Sequence, residues 1–378
     1  MKKMLLMAAI ASVAFASCVN DEIANPKNQI KNKIKFDNPV LYCNENSRAN
    51  VTGEIGGGSY PQDENFVIYA VSHENDFAGW AASGTTAAEF NGATVSYDVD
   101  VNGWAPKTDD DKYYFWENDK KMSFAACSPA DLEQSATRTY GATGLCIEDF
   151  KIPAVGEQYD LLFSERQINQ TSADMSTHEY SGIPIVFQHA LASIRFSIAN
   201  ESEEVVVLKR ITVKNVKNKG TFNENVDETD VDTYVIDPAW TDLDGSVSYV
   251  AFNGSVEFPD VTQADVTPAF VLDFDKVDGN VAYQLLLMPQ DLSNDAIIEV
   301  VYTVNDKENT KEVNLKGLKS SKVENGSLVE TGTINSWEMG KRYTYQLHYN
   351  QKSAAKDKIY FAPTTKEWID VDNIIVEL

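Results

Sequence analysis

The sequence predicts an all-β protein, two β-sandwiches in tandem behind a removable leader, and three observations predict it. From Val51 onward the apolar stretches are short and divided by turn-forming residues, as in a sandwich whose strands alternate with loops. Apolar and polar residues alternate in windows such as Ala296 to Val304, the period of a half-buried strand. No window carries a helical period beyond a turn or two around Pro129 to Gln134.

The chain opens as a signal segment. Lys2 and Lys3 precede an apolar run from Met4 to Ala16, long enough for a signal core and too short to span a bilayer. Phe15-Ala16-Ser17-Cys18 resembles a bacterial lipobox, which implies that residues 1–17 are a lipoprotein signal peptide. Cys18 is then the lipidation site, and the chain is anchored to a membrane without spanning it. Asp21 and Glu22 resemble the acidic residues that follow the cysteine of surface-exported lipoproteins.

Val19 to Asn32 is polar, contains Pro26 and reads as a tether. Ile34, Phe36, Val40 and Tyr42 then make a short apolar strand interrupted by Pro39. Proline cannot donate to a ladder, so this leader strand belongs at an edge or a bulge. Asn44 to Asn50 is a polar loop that places Arg48 before Ala49, and proteolysis concentrates in such loops. Residues 18–48 are therefore read as a lipidated leader, 49–181 as the first sandwich and 182–378 as the second. The polar, turn-rich stretch from Asn169 to Gly182 is the expected connection.

Composition narrows the function. With 57 acidic and 32 basic side chains the net charge is −25, which repels phosphate backbones and excludes nucleic acid as a partner. Of the cysteines at 18, 43, 127 and 146, the first goes to lipid, and a cut after Arg48 would take the second with the leader. Spacing does not decide whether Cys127 and Cys146 pair, and burial as small apolar side chains is the expectation.

Within the first sandwich, Phe66, Val67, Ile68, Tyr69 and Val71 are apolar on both faces and predict a buried central strand. Val95, Tyr97, Val99 and Val101 alternate as one face of the next, and Asn102-Gly103 supplies a hairpin turn. In the second, Ile194, Phe196 and Ile198 alternate with Ser193, Arg195 and Ser197, which predicts one wet face. Tyr343, Tyr345, Leu347 and Tyr349 repeat the alternation. The tail ends with Ile374, Val376 and Leu378 on one face, a strand that wants a slot in a sheet and could be offered to a neighbour.

Little here points to catalysis. The four histidines, 73, 178, 189 and 348, form no HExxH or HxH pair, and no GxSxG elbow occurs. His189 lies in an apolar strand start and reads as a hydrogen-bonded structural residue. Asp109 to Asp111, Asp227 to Asp232 and Asp242 to Gly245 lack the glycine and glutamate of an EF-hand loop and read as solvated turns. Gly56 to Ser59 lacks a phosphate-loop ending. No enzyme activity, metal or cofactor is expected.

A set of motifs in one order carries a resemblance. Trp104, Lys112-Tyr113-Tyr114-Phe115-Trp116 and Met122 to Pro129 come first, followed by Tyr159-Asp160-Leu161-Leu162 and Val186 to Phe196 with His189. Gly340-Lys341-Arg342-Tyr343-Thr344-Tyr345 and Trp368 complete it. Together they resemble the fimbrillin family of Bacteroidota. The resemblance implies two transthyretin-like, Greek-key sandwiches in a fimbrial subunit that reaches the outer membrane as a surface lipoprotein. It further implies an arginine-specific protease cutting after Arg48, before Ala49, to remove the leader strand. Other fimbrial subunits are then the partners, by strand exchange, with Ile374, Val376 and Leu378 as the candidate donor. The alternative is a monomeric surface lipoprotein that binds a glycan or host ligand, with Trp80, Trp104 and Trp240 to stack on sugars.

Overall fold

The computed structural model describes residues 33–41, 60–80, 90–107, 113–114, 116, 120–132, 136–171, 182–200, 202–227, 236–258, 284–324, 327–350, 358–360, 369–370 and 373–375. The described residues are strands, turns and loops, with no helix among them. The chain is all-β, its sheets layered face to face.

One sheet is built around Phe66–His73. Its path runs Val40–Leu41, Val186–His189, Leu162–Ser164, Lys121–Ser128, Phe66–His73, Phe90–Asp98 and Gly103–Pro106. Both faces of the central strand are used, which is why its sequence does not alternate. Phe66, Ile68 and Ala70 enter one core while Val67, Tyr69 and Val71 enter the other. In the neighbouring strand, Val95 is fully buried but Val99 is 81% exposed. The strand ends at Asp98, so Val99 stands in the hairpin loop that Asn102 closes at φ 47°, off the face its spacing suggested.

Strand pairing runs across residues 181 and 182, where composition placed the domain boundary. Val186–His189 pairs with Leu162–Ser164 in the sheet just described. A four-stranded sheet joins Thr137–Gly141 and Gly144–Lys151 to Lys219–Asn223 and Ala239–Asp244. Turn-forming residues mark where the backbone meets water, and they carry no information about which strands pair.

The remaining sheets enclose the larger core. Ala192–Asn200 lies between Leu285–Leu287 and Lys341–Asn350, running parallel to the latter. Val206–Val216 lies between Val247–Glu257 and Ile297–Val304. Ile194, Ile198, Ile211, Ile298, Val300, Tyr343, Tyr345 and Leu347 meet inside. Of the face expected to be wet, Ser193 and Ser197 are fully buried and Arg195 is half-buried. Gln284 covers that side, its Nε2 donating to Ser193 Oγ at 2.5 Å.

Candidate functional site: the slot of the leader strand

Two edges of the first sheet face the same piece of chain. Gly103–Pro106 ends the sheet on one side, the stretch leading into Val186–His189 ends it on the other, and residues 34–41 run between them. Phe36 bridges both edges, antiparallel to Trp104 and parallel to Ile183. Its N–H donates to Trp104 O at 2.7 Å and its carbonyl accepts from Trp104 N at 3.2 Å. On the other side Asp37 N–H donates to Ile183 O and Ile183 N–H to Lys35 O, both at 2.9 Å, and Val40 N–H donates to Ile185 O at 2.9 Å. Ile34 N–H reaches Tyr114 O, and Pro39 O takes the Tyr60 N–H, again at 2.9 Å. The leader therefore satisfies backbone groups that would otherwise be two bare sheet edges.

Its side chains seal the smaller core. Ile34 and Phe36 are 2% and 0% exposed, and the Phe36 ring meets Phe66 and Phe124 edge-on at 6.1 and 5.6 Å. Burying these two side chains is worth about 1.5–3 kcal/mol each. The alternation then slips by one residue. Asn38 N–H caps the Asp37 carboxylate at 2.8 Å, Pro39 is buried, and Val40 is 41% exposed. Proline has no N–H for the ladder, so the chain bulges there and Val40 faces outward. Tyr42 lies outside the described residues, as do Cys18, Arg48 and Ala49.

Gly182 sets how closely the leader fits. A Cβ there would stand 2.5 Å from Asp37 N, 2.9 Å from Lys35 O and closer still to the Phe36 carbonyl carbon. Only glycine lets the two backbones approach so far. Tyr60 closes the slot from another side, its ring 5.2 Å from Trp104 and 5.4 Å from Phe187, with its hydroxyl bonded to Asn65 O and Ser128 Oγ. Sequence reasoning missed both residues. Gly182 ends a turn-rich stretch and read as linker, and Tyr60 precedes Pro61 at a loop end. An isolated glycine before Ile183 and Ile185 was the available signal for a close backbone approach.

A polar cluster holds the start of the leader. Lys33 Nζ lies 3.5 Å from the centre of the Tyr113 ring, and Tyr113 O–H donates to Asp98 Oδ2 at 2.7 Å. Lys107 pairs with the same carboxylate at 2.8 Å. Burial pushes the Asp98 carboxyl up, but the Lys107 and Tyr113 hydrogen bonds and the Asp100 N–H outweigh it and hold the group at about 2. Burial and the bond to Asp98 push Tyr113 up to about 12.

The tail occupies a slot of its own. Asn373–Ile375 lies between Leu318–Glu324, to which it is antiparallel, and Lys341–Asn350, with Ile374 beside both Ser320 and Tyr345. Val376 and Leu378 fall outside the described residues.

The other residues singled out are packed inside. His189 Nδ1 lies 2.8 Å from Asp160 Oδ2, both buried, so two of the ordered motifs meet as a structural pair. Trp80 and Trp104 are 8% and 0% exposed, and Trp240, partly buried, donates its N–H to Ala190 O at 2.6 Å. Trp80 and Trp104 offer no open stacking face. Cys127 and Cys146 are free thiols, and burial pushes Cys127 up to about 12. Among the described residues no cluster of His, Cys, Asp and Glu could hold a metal ion.

A family model and one solved structure agree with this architecture. The family model for fimbrillin-like proteins matches residues 62–368. A fimbrial protein from Bacteroides vulgatus superposes with a TM-score of 0.52 at 15% identity, covering 89% of this chain and 99% of that one. A putative cell adhesion protein from Bacteroides uniformis gives 0.47 at 10% identity, covering 89% and 98%. A tip fimbrial protein from Porphyromonas gingivalis gives 0.34 at 10%, covering 83% and 94%. No curated protein matches the chain at a significant level.

Proposed function

The chain belongs to the fimbrillin-like family, and from that premise we propose that it is a structural subunit of a cell-surface fimbria that supports adhesion. It is exported as a lipoprotein, held at the outer membrane through Cys18 and cut after Arg48 by an arginine-specific protease, leaving Ala49 as the first residue. Removal of the leader opens the slot, and a strand from another subunit fills it. In a second copy of this chain the candidate strand is the tail with Ile374, Val376 and Leu378, which would leave its place beside Tyr345.

The observation that carries this reading is the seat of residues 34–41. Two sheet edges are satisfied by a segment that is continuous with the signal and ends a few residues before Arg48. While the chain is intact, its covalent link keeps the segment at a high effective concentration over its slot. Cleavage ends that advantage and leaves Ile34, Phe36 and the backbone bonds to hold the fragment alone. The vacated edges then suit strand addition, in which main-chain bonds give affinity and side-chain pockets give specificity.

The test is digestion of the purified full-length precursor with an arginine-specific protease, followed by N-terminal mass measurement and electrophoresis without boiling. Cleavage before Ala49 with a ladder of polymers is expected, and a precursor that resists or is cut and stays monomeric would overturn the reading. An Arg48→Ala variant should remain uncut and monomeric. Polymers from that variant would remove Arg48 from the process.

A further inference from the structure

We infer that the strand which replaces the leader carries a side-chain oxygen, from Ser, Thr, Asn or Gln, at an inward position beside Trp104. This rests on the strand-replacement reading above and deepens it: Ile374, Val376 and Leu378 carry no such oxygen, so the tail of a second copy meets the requirement only when Asn373 faces inward.

Trp104 is fully buried, and its indole N–H has no acceptor among the described residues. The rings packed on it do not supply one. Phe66 has none to offer, and neither the Tyr60 hydroxyl, which is turned to Asn65 O and Ser128 Oγ, nor the Tyr97 hydroxyl, which is turned to Asn102 Oδ1, is placed to accept from the indole. Trp240 shows the ordinary state of an indole in this protein, bonded to a carbonyl at 2.6 Å. An orphaned buried donor is costly, and native proteins seldom keep one without a reason.

The strand in the slot is the element placed to relieve it. Phe36 and Trp104 exchange both backbone hydrogen bonds, so they are directly opposed and share one face of the sheet. The residue opposite Trp104 and those diagonal to it are within reach of its long side chain. The leader places Phe36 opposite and Ile34 diagonal, both apolar and buried, while Asn38 on the other diagonal is exposed. It fills the volume and leaves the N–H unmet. Added to the break at Pro39, this makes the leader an incomplete occupant, and a strand with an acceptor in reach gains a hydrogen bond that the leader lacks.

Trp104→Phe removes the donor and keeps an aromatic ring. Its loss of packing falls on both occupants, but its loss of a hydrogen bond falls only on the replacing strand. After digestion of the full-length precursor, the ratio of retained leader fragment to polymer should rise about fivefold over wild type, the equivalent of one hydrogen bond. A Trp104→Phe ratio equal to or below that of wild type would overturn the inference while leaving strand replacement intact. A wild type that is cut and stays monomeric would remove both. If Trp104→Phe does not fold, Ile34→Thr and Ile34→Val, which differ only in a hydroxyl, probe the same hydrogen bond from the leader side. The threonine leader should stay bound severalfold longer after cleavage, and a valine leader that outlasts it would sink the proposal.

Discussion

At the leader slot a core is sealed by Ile34, Phe36 and backbone hydrogen bonds, whereas at the junction around Glu224 it is sealed by particular side chains. There Glu224 Oε2 takes the Leu145 N–H at 2.7 Å, and Gly144, at φ 87°, has no room for a Cβ beside that carboxylate. Tyr140 stacks on Tyr69 at 5.1 Å, and Arg166 donates to the Tyr140 hydroxyl at 2.8 Å and to the carbonyls of Gly141 and Ala142 at 3.2 Å. The same guanidinium lies 5.2 Å from the Trp80 ring. Any extended chain with suitable apolar side chains could make most of what holds the leader. What holds the junction depends on the chemistry of Glu224, Arg166, Tyr140 and Trp80. The first set of contacts is carried mostly by backbone and apolar bulk, the second by the identity of particular side chains.

The largest expected effect is at Gly182. Gly182→Ala drives a methyl group into the leader backbone, so the leader must shift or leave. A leader that shifts pays about 1–3 kcal/mol of overpacking, and one that leaves forfeits the burial of Ile34 and Phe36, roughly 3–6 kcal/mol. The expected readout is a leader digested by general proteases in the otherwise folded precursor. A variant whose leader is as protected and whose unfolding midpoint is as high as in wild type would show that the slot has slack.

This asymmetry was only partly legible in the sequence. Phe66 to Val71 announced a strand buried on both faces because burial dictates residue type directly, and the strand does feed two cores. Ile34 and Phe36 were legible for the same reason. Val40 was not, since a bulge created by Pro39 and the Asp37 cap reverses the alternation, and periodicity carries no record of such a slip. Ser193 and Ser197 read as wet because small polar residues look alike whether they face water or the interior. The junction was invisible: Glu224 sits in an acidic stretch among 57 carboxylates, and only the pairing of Gly144–Lys151 with Lys219–Asn223 buries it.

The next effect in size should distinguish the junction by pH. Burial pushes Glu224 up from 4.5 to about 7 against the opposing pull of the Leu145 N–H, the Arg166 charge and the Tyr140 hydroxyl. Between those values the folded protein keeps a proton that the unfolded chain has released. This group therefore costs nothing below about pH 4.5, and stability falls as pH rises to 7, by up to about 3 kcal/mol. Glu224→Gln removes that dependence. The difference in urea midpoint between variant and wild type should be small at pH 4, grow in favour of the variant through pH 7 and then level off. A difference that stays flat from pH 4 to 8 would mean the carboxyl titrates in the folded protein as it does in the unfolded chain.

The smallest effect concerns the first residue of the leader, where the slot does have a residue-specific contact. Lys33 over the Tyr113 ring is worth about 0.5–1 kcal/mol in a partly exposed setting. It acts only on the leader, because Tyr113 remains tied to Asp98 and Lys107 when the leader is gone. Lys33→Ala should therefore speed release of the cleaved fragment about two- to fivefold and leave the unfolding of the cleaved body unchanged. Tyr113→Leu should give the same acceleration, and combining the two should add little beyond either alone. If the two effects add in full, the cation and the ring hold different things. The slot would then have no specific contact at its start, and the contrast with the Glu224 junction would be sharper than the geometry implies.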